Sequence, residues 1–97
     1  MDKRVMRELI SVKKKYNPER MIVFGSTARG DTHEGSDVDV ILIKDTKKRF
    51  TDRIGEVMEM WKGEQPIEPL VYTQEEFKEK EKTSDFIRTA IKEGIEI

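Results

Sequence analysis

Residues 24–40 read FGSTARGDTHEGSDVDV. The stretch begins at the end of a short apolar run, residues 21–24, and closes on alternating Asp37, Val38, Asp39 and Val40. Residues 21–24 followed by Gly25 predict a strand that turns sharply. Residues 37–43 predict a second strand, with Val38, Val40 and Leu42 on one face and Asp37, Asp39, Ile41 and Ile43 on the other. Both faces become apolar along its length, as in a central strand covered on two sides. The acids stand at its beginning, where a cleft has room to open.

Outward from this stretch the chain is periodic. Residues 2–17 predict an amphipathic helix, with Val5, Leu9, Val12 and Tyr16 on one stripe and Met6 and Ile10 widening it. Asn17-Pro18 stops that helix. Phe50, Ile54, Val57, Met58 and Trp61 mark a second helix, with Gly63 near its end and Pro66 beyond. Residues 67–72 predict a third strand. Pro69 cannot donate to a ladder, so this strand belongs at an edge or is irregular there. Thr73 and Glu76 have capping-box spacing, and Tyr72 and Phe77 have that of a hydrophobic staple. Thr83 or Ser84 caps a last helix carrying Phe86, Ile87, Ala90 and Ile91, which Gly94 closes. The expected order is helix, strand, strand, helix, strand, helix, helix: a small α/β or α+β domain with a short mixed sheet and flanking helices.

Ninety-seven residues are expected to make one domain, residues 1–97. Charged residues reach 40% against 35% apolar, yet the periodic apolar groups argue against disorder. A net charge of −1 gives no reason to expect direct nucleic-acid binding. No apolar run approaches a membrane span and no secretion signal is visible, so a cytoplasmic, non-membrane protein is expected. Cysteine is absent, which excludes disulfide and thiol chemistry.

Three features converge on triphosphate chemistry. Gly25-Ser26 follows a strand directly, and a short helical turn after it offers free amides and a hydroxyl to an anion. Taken alone, such a pair is an ordinary turn. Asp37 and Asp39 share a strand face, where a divalent cation reverses their mutual repulsion; hard oxygen ligands suit magnesium. Taken alone, this pair is a solvated or structural one. Glu68 stands among Ile67, Pro69, Leu70 and Val71, either capping a turn at an edge or joining the aspartates as a third carboxylate.

Together the residues resemble the signature of the nucleotidyltransferase superfamily that includes polymerase beta. The fit is to its minimal nucleotidyltransferases, small domains often paired with a HEPN-domain partner. Gly25, Ser26, Arg29, Gly30, Gly35, Ser36, Asp37 and Asp39 match the pattern, and the similarity spans roughly residues 2–93. IEPLVYTQEEF resembles the strand of the third carboxylate and the helix that follows; Glu68 stands where aspartate is more usual and supplies the same ligand atoms. The resemblance implies a polymerase-beta-like fold and a mechanism with two magnesium ions held by Asp37, Asp39 and Glu68. It implies that Gly25 and Ser26 hold the β- and γ-phosphates of ATP.

Other residues have plain explanations beside functional ones. Arg29 either contacts triphosphate or partner, or pairs with Asp31, Asp37 or Glu34. Gly30 and Gly35 shape the loop, and Asp31 reads as structural. His33, the only histidine, reads as solvated, since the spacing supplies no ligand set around it. Ser36 braces the aspartates; no histidine–acid pair stands ready to make it a nucleophile. Met58, Met60 and Trp61 read as core or interface packing rather than a base-stacking shelf. Residues 13–15 and 47–49 are basic runs without interleaved aromatics, hence solvated surface.

So short a chain leaves no room for a further substrate-binding domain, so a partner or self-association is expected. The resemblance implies a toxin–antitoxin pair, in which this protein transfers AMP from ATP to a tyrosine hydroxyl of a HEPN ribonuclease toxin. One alternative is a non-catalytic antitoxin of the same fold; another is nucleotidyl transfer to a small molecule or RNA end.

Overall fold

The computed structural model describes residues 1–31 and 36–97. Helix α1 (Lys3–Tyr16) starts at Asp2, whose Oδ1 accepts from the Arg4 amide at 2.7 Å. It ends at Asn17, which takes the left-handed conformation (φ 56°) and donates its amide to the Lys13 carbonyl. Strand β1 (Arg20–Phe24) runs into α2 (Gly25–Arg29), a single helical turn. Strand β2 (Val38–Ile43), helix α3 (Phe50–Met60) and strand β3 (Ile67–Tyr72) form a crossover unit. Helix α4 (Gln74–Thr83), helix α5 (Asp85–Glu93) and strand β4 (Ile95–Glu96) complete the chain.

The sheet has the order β3-β2-β1-β4. Strands β2 and β3 are parallel; β1 is antiparallel to both β2 and β4. Alternation along β2 sends its side chains into two separate cores. Val38, Val40 and Leu42 join Val5, Leu9, Val12, Tyr16 and Val57 beneath α1 and α3. Ile41 and Ile43 join Phe77, Ile87 and Ala90 beneath α4 and α5. The sheet is therefore sandwiched between two helical layers, as the two-sided apolar pattern of β2 requires.

Pro69 lies on β3, an edge strand, where a missing amide costs no ladder bond to an outer neighbour. Thr73 Oγ1 accepts from the Glu76 amide and Glu76 Oε1 accepts from the Thr73 amide at 2.8 Å, closing the expected capping box. Tyr72 and Phe77 share one core cluster, as a staple demands. Between the two candidates for the final cap the structure selects Ser84, whose hydroxyl accepts from the Ile87 amide. No helix is long and apolar enough to cross a membrane among the described residues.

Three details differ from the sequence reading. Helix α3 stops at Met60, and Trp61 turns its indole to the Gln65 carbonyl at 2.7 Å, so the helix ends before Gly63. Met60 and Trp61 pack on the core, but Met58 points outward. Strand β4 was not expected: only two residues long, it carries no alternation to read. It forms because Gly94 fits closely against the Val23 carbonyl and the Ile22 side chain, and because Arg20 grips Glu96 with two hydrogen bonds.

Candidate functional site

Asp39 is the second residue of β2 and lies opposite two residues at once. Its register partner on β1 is Phe24, and on β3 it is Glu68. Parallel pairing in register puts Asp39 and Glu68 side by side on the same face. Asp37 immediately precedes β2. Thr27, buried in α2, donates its hydroxyl to the Asp37 carbonyl at 3.4 Å, and the Val38 amide donates to the Pro66 carbonyl at 2.8 Å. The start of β2 is thereby tied both to α2 and to the segment entering β3.

Electrostatics records the crowding. Hydrogen bonding with Asp37 pushes the Glu68 carboxyl above its usual range; the charges of Asp37 and Asp39 push it the same way, as does a hydrogen bond to Asp39. Burial raises Asp39 as well, and the neighbouring Asp37 charge adds to this, while a hydrogen bond from Glu68 and the Arg29 charge act against them. Like charge and burial together thus disfavour the ionised forms of Glu68 and Asp39. Among the described residues no three His, Cys, Asp or Glu side chains stand as a preformed metal-ligand group.

Gly25 meets the acids from the other side. Its φ is 71°, and a Cβ built there would lie 2.6 Å from Asp39 Oδ2. The conformation favours glycine, and any side chain there would have to displace the Asp39 carboxylate. The turn that follows, α2, begins without a side-chain cap on its amides. Thus a strand end, an uncapped turn and three carboxyls meet at one end of the sheet. A family model described as "Nucleotidyltransferase domain" matches residues 6–97.

The chain belongs to the nucleotidyltransferase domain family.

A solved structure from Sulfolobus solfataricus, reported as a "putative nucleotidyltransferase", superposes with a TM-score of 0.57 and 24% identity over 79% of this chain and 70% of that one. It supports the fold. No curated protein gives a significant match.

Within this nucleotidyltransferase domain the remaining predicted residues fall as follows. Arg29, half-exposed, pairs with Asp31 at 3.3 Å and with Glu93 of α5 at 3.8 Å, while its charge reaches Asp39. Gly30 caps α2 with φ 79° and donates its amide to the Ser26 carbonyl at 3.0 Å. His33, Glu34 and Gly35 lie outside the described residues. A cavity of about 260 Å³ opens between the start of α1 and residues 62–65, and none of the three acids lines it.

Sequence reading missed Thr27 and Glu93. The first had a signal, a small hydroxyl residue within the turn that joins the glycine to the acids. The second had none, because α5 approaches α2 only through the tertiary fold.

Proposed function

We propose that this domain is a magnesium-dependent nucleotidyltransferase that moves AMP from ATP to a tyrosine hydroxyl of a HEPN-type ribonuclease toxin, acting as its antitoxin. The observation that carries the reading is the register of Asp39 with Glu68, next to Asp37 and against a glycine at positive φ whose missing side chain leaves room for the Asp39 carboxylate. Asp37, Asp39 and Glu68 offer only oxygen donors, the donor set that magnesium prefers. When bound there, magnesium supplies charge neutralisation at the phosphates and lowers the pKa of the attacking hydroxyl.

The chain's own residues account for the rest. Glu68, exposed and held above its usual pKa, receives the acceptor hydroxyl proton. The acceptor oxygen bonds to the α-phosphorus, the bond from that phosphorus to the bridging oxygen breaks, and pyrophosphate leaves. Gly25 keeps space beside Asp39 for the phosphates, while Ser26 and Arg29 hold the β- and γ-phosphates. An AMP ester adds negative charge and bulk to the toxin, which obstructs RNA at its cutting site.

One observation favours a second reading. Glu68 and Asp39 are both held above their usual pKa, and no metal-ligand group stands preformed among the described residues. A non-catalytic antitoxin of the same fold needs nothing more. The intact mass of the partner separates the two after incubation with this chain, ATP and magnesium. Catalysis predicts a gain of one AMP that disappears with Asp39→Asn. An unchanged mass, with neutralisation retained by Asp39→Asn, supports the binding module instead.

A further inference from the structure

Helix α5 lies against the end of the sheet where the acids stand: its last residue, Glu93, pairs with Arg29, and Gly94 beyond it fits against the Val23 carbonyl. It carries Phe86, which at 59% exposure is the most exposed large apolar side chain among the described residues. Its neighbours Ile87 and Ala90 are 2% and 5% exposed, so the core is closed without it. The Phe86 ring is nonetheless fixed: it meets the ring of buried Phe24 edge to face, with centroids 5.6 Å apart and planes at 83°. Phe24 directly precedes Gly25 and is the register partner of Asp39. Directly opposed residues of antiparallel strands share a face, with Cβ atoms about 4.5–5.5 Å apart. Asp39, Phe24 and Phe86 thus form a continuous series, running from the acid cluster to an open aromatic surface.

We propose that Phe86, seated on Phe24, is the platform on which the base of the bound nucleoside triphosphate stacks. The inference rests on the nucleotidyl-transfer reading of the acids. With an α-phosphate at Asp37, Asp39 and Glu68, the ribose spans the step occupied by Phe24, and the base reaches the next ring. Among the polar side chains near Phe86, Arg88 is engaged: it pairs with Asp85 and also donates to the Glu81 and Lys82 carbonyls. The exposed ring itself offers a π-face. Stacking of this kind tolerates any base, so ATP and GTP bind this chain with similar affinity.

Calorimetric titration of the full chain with magnesium-ATP, magnesium-GTP and inorganic triphosphate tests this. Phe86→Ala is expected to weaken both nucleotides about 5- to 150-fold, the range for loss of one stacking ring, and to leave inorganic triphosphate unchanged. Phe86→Trp is expected to restore nucleotide affinity, which a purely structural role does not require. Unaltered ATP binding by Phe86→Ala overturns the proposal, and so does an equal loss of ATP and inorganic triphosphate. Loss of protein association alone in that variant also overturns it, making Phe86 a docking contact. If the parent binds ATP no better than inorganic triphosphate, only the platform falls. If it binds neither, the nucleotidyl-transfer reading falls with it.

Discussion

Glu68 and Glu76 bracket β3, one at each end, and their surroundings are opposite. Glu68 faces two aspartates and is held above its usual pKa. Glu76 faces Arg53, whose Nη1 donates to it at 2.7 Å, and is held below. Arg53 is itself buried, and it also donates to the Lys48 carbonyl at 2.8 Å and the Val71 carbonyl at 3.2 Å. One end of the sheet pairs its glutamate with a buried cation. The other gathers like charges and tolerates the repulsion. A fold that can build the first arrangement has no structural need of the second, which is why the unneutralised end is the candidate for chemistry.

The comparison breaks most decisively at the acid end. Asp39→Asn is expected to weaken magnesium-ATP binding by more than about 100-fold, beyond the 10–100-fold that loss of a mere outer-sphere partner costs. Its melting temperature should hold or rise, because a repelling charge has gone. Glu68→Gln should impair transfer more than binding. Titrations of both variants that match the parent would falsify the acid site.

At the other end the same kind of change should act on stability. Arg53→Met removes a buried cation that bonds two carbonyls and a carboxylate, and should cost about 2–3 kcal/mol. For a domain of this size, that lowers the melting temperature by roughly 10–20 °C. Glu76→Gln should cost less, since Arg53 keeps both carbonyl acceptors. Thermal melts of the two variants beside Glu68→Gln sharpen the contrast: equal losses at both ends of β3 would erase it.

Much of this asymmetry was legible in the sequence, for a physical reason. Alternation in 37–43 fixes which side chains share a face, and Pro69 confines its strand to an edge, so Asp37, Asp39 and Glu68 were candidates before any coordinates. Their in-register pairing was not readable, because parallel strands joined by a helix carry no turn that sets register. Arg53 was invisible for a related reason. It lies among the polar residues of α3, and only the packing of α3 against β3 and α4 brings its guanidinium to Glu76. Strand β4 and the Arg29–Glu93 pair likewise depend on where α5 comes to rest. Thr73 and Glu76 were readable as a cap, since that motif is local, but the cap's second task was not.

The smallest effect should be the slope of stability with pH, where the two ends oppose each other. Glu76 has a lowered folded pKa, so its contribution is complete above its unfolded value and is lost as pH falls through the folded one. Glu68 and Asp39 have raised folded pKa values, so the folded state takes up protons before the unfolded chain does. Their contribution is present below the unfolded values and is lost as pH rises through the folded ones. Acidifying from neutrality should therefore first favour the fold through the acid end, and then destabilise it through the Arg53 end. Melts across that range should lose the initial gain in Glu68→Gln and the later loss in Glu76→Gln. Magnesium should flatten the first slope alone, because a cation among the carboxylates competes with protons for them. A first slope that ignores both Glu68→Gln and magnesium would mean that the acids do not act as one site.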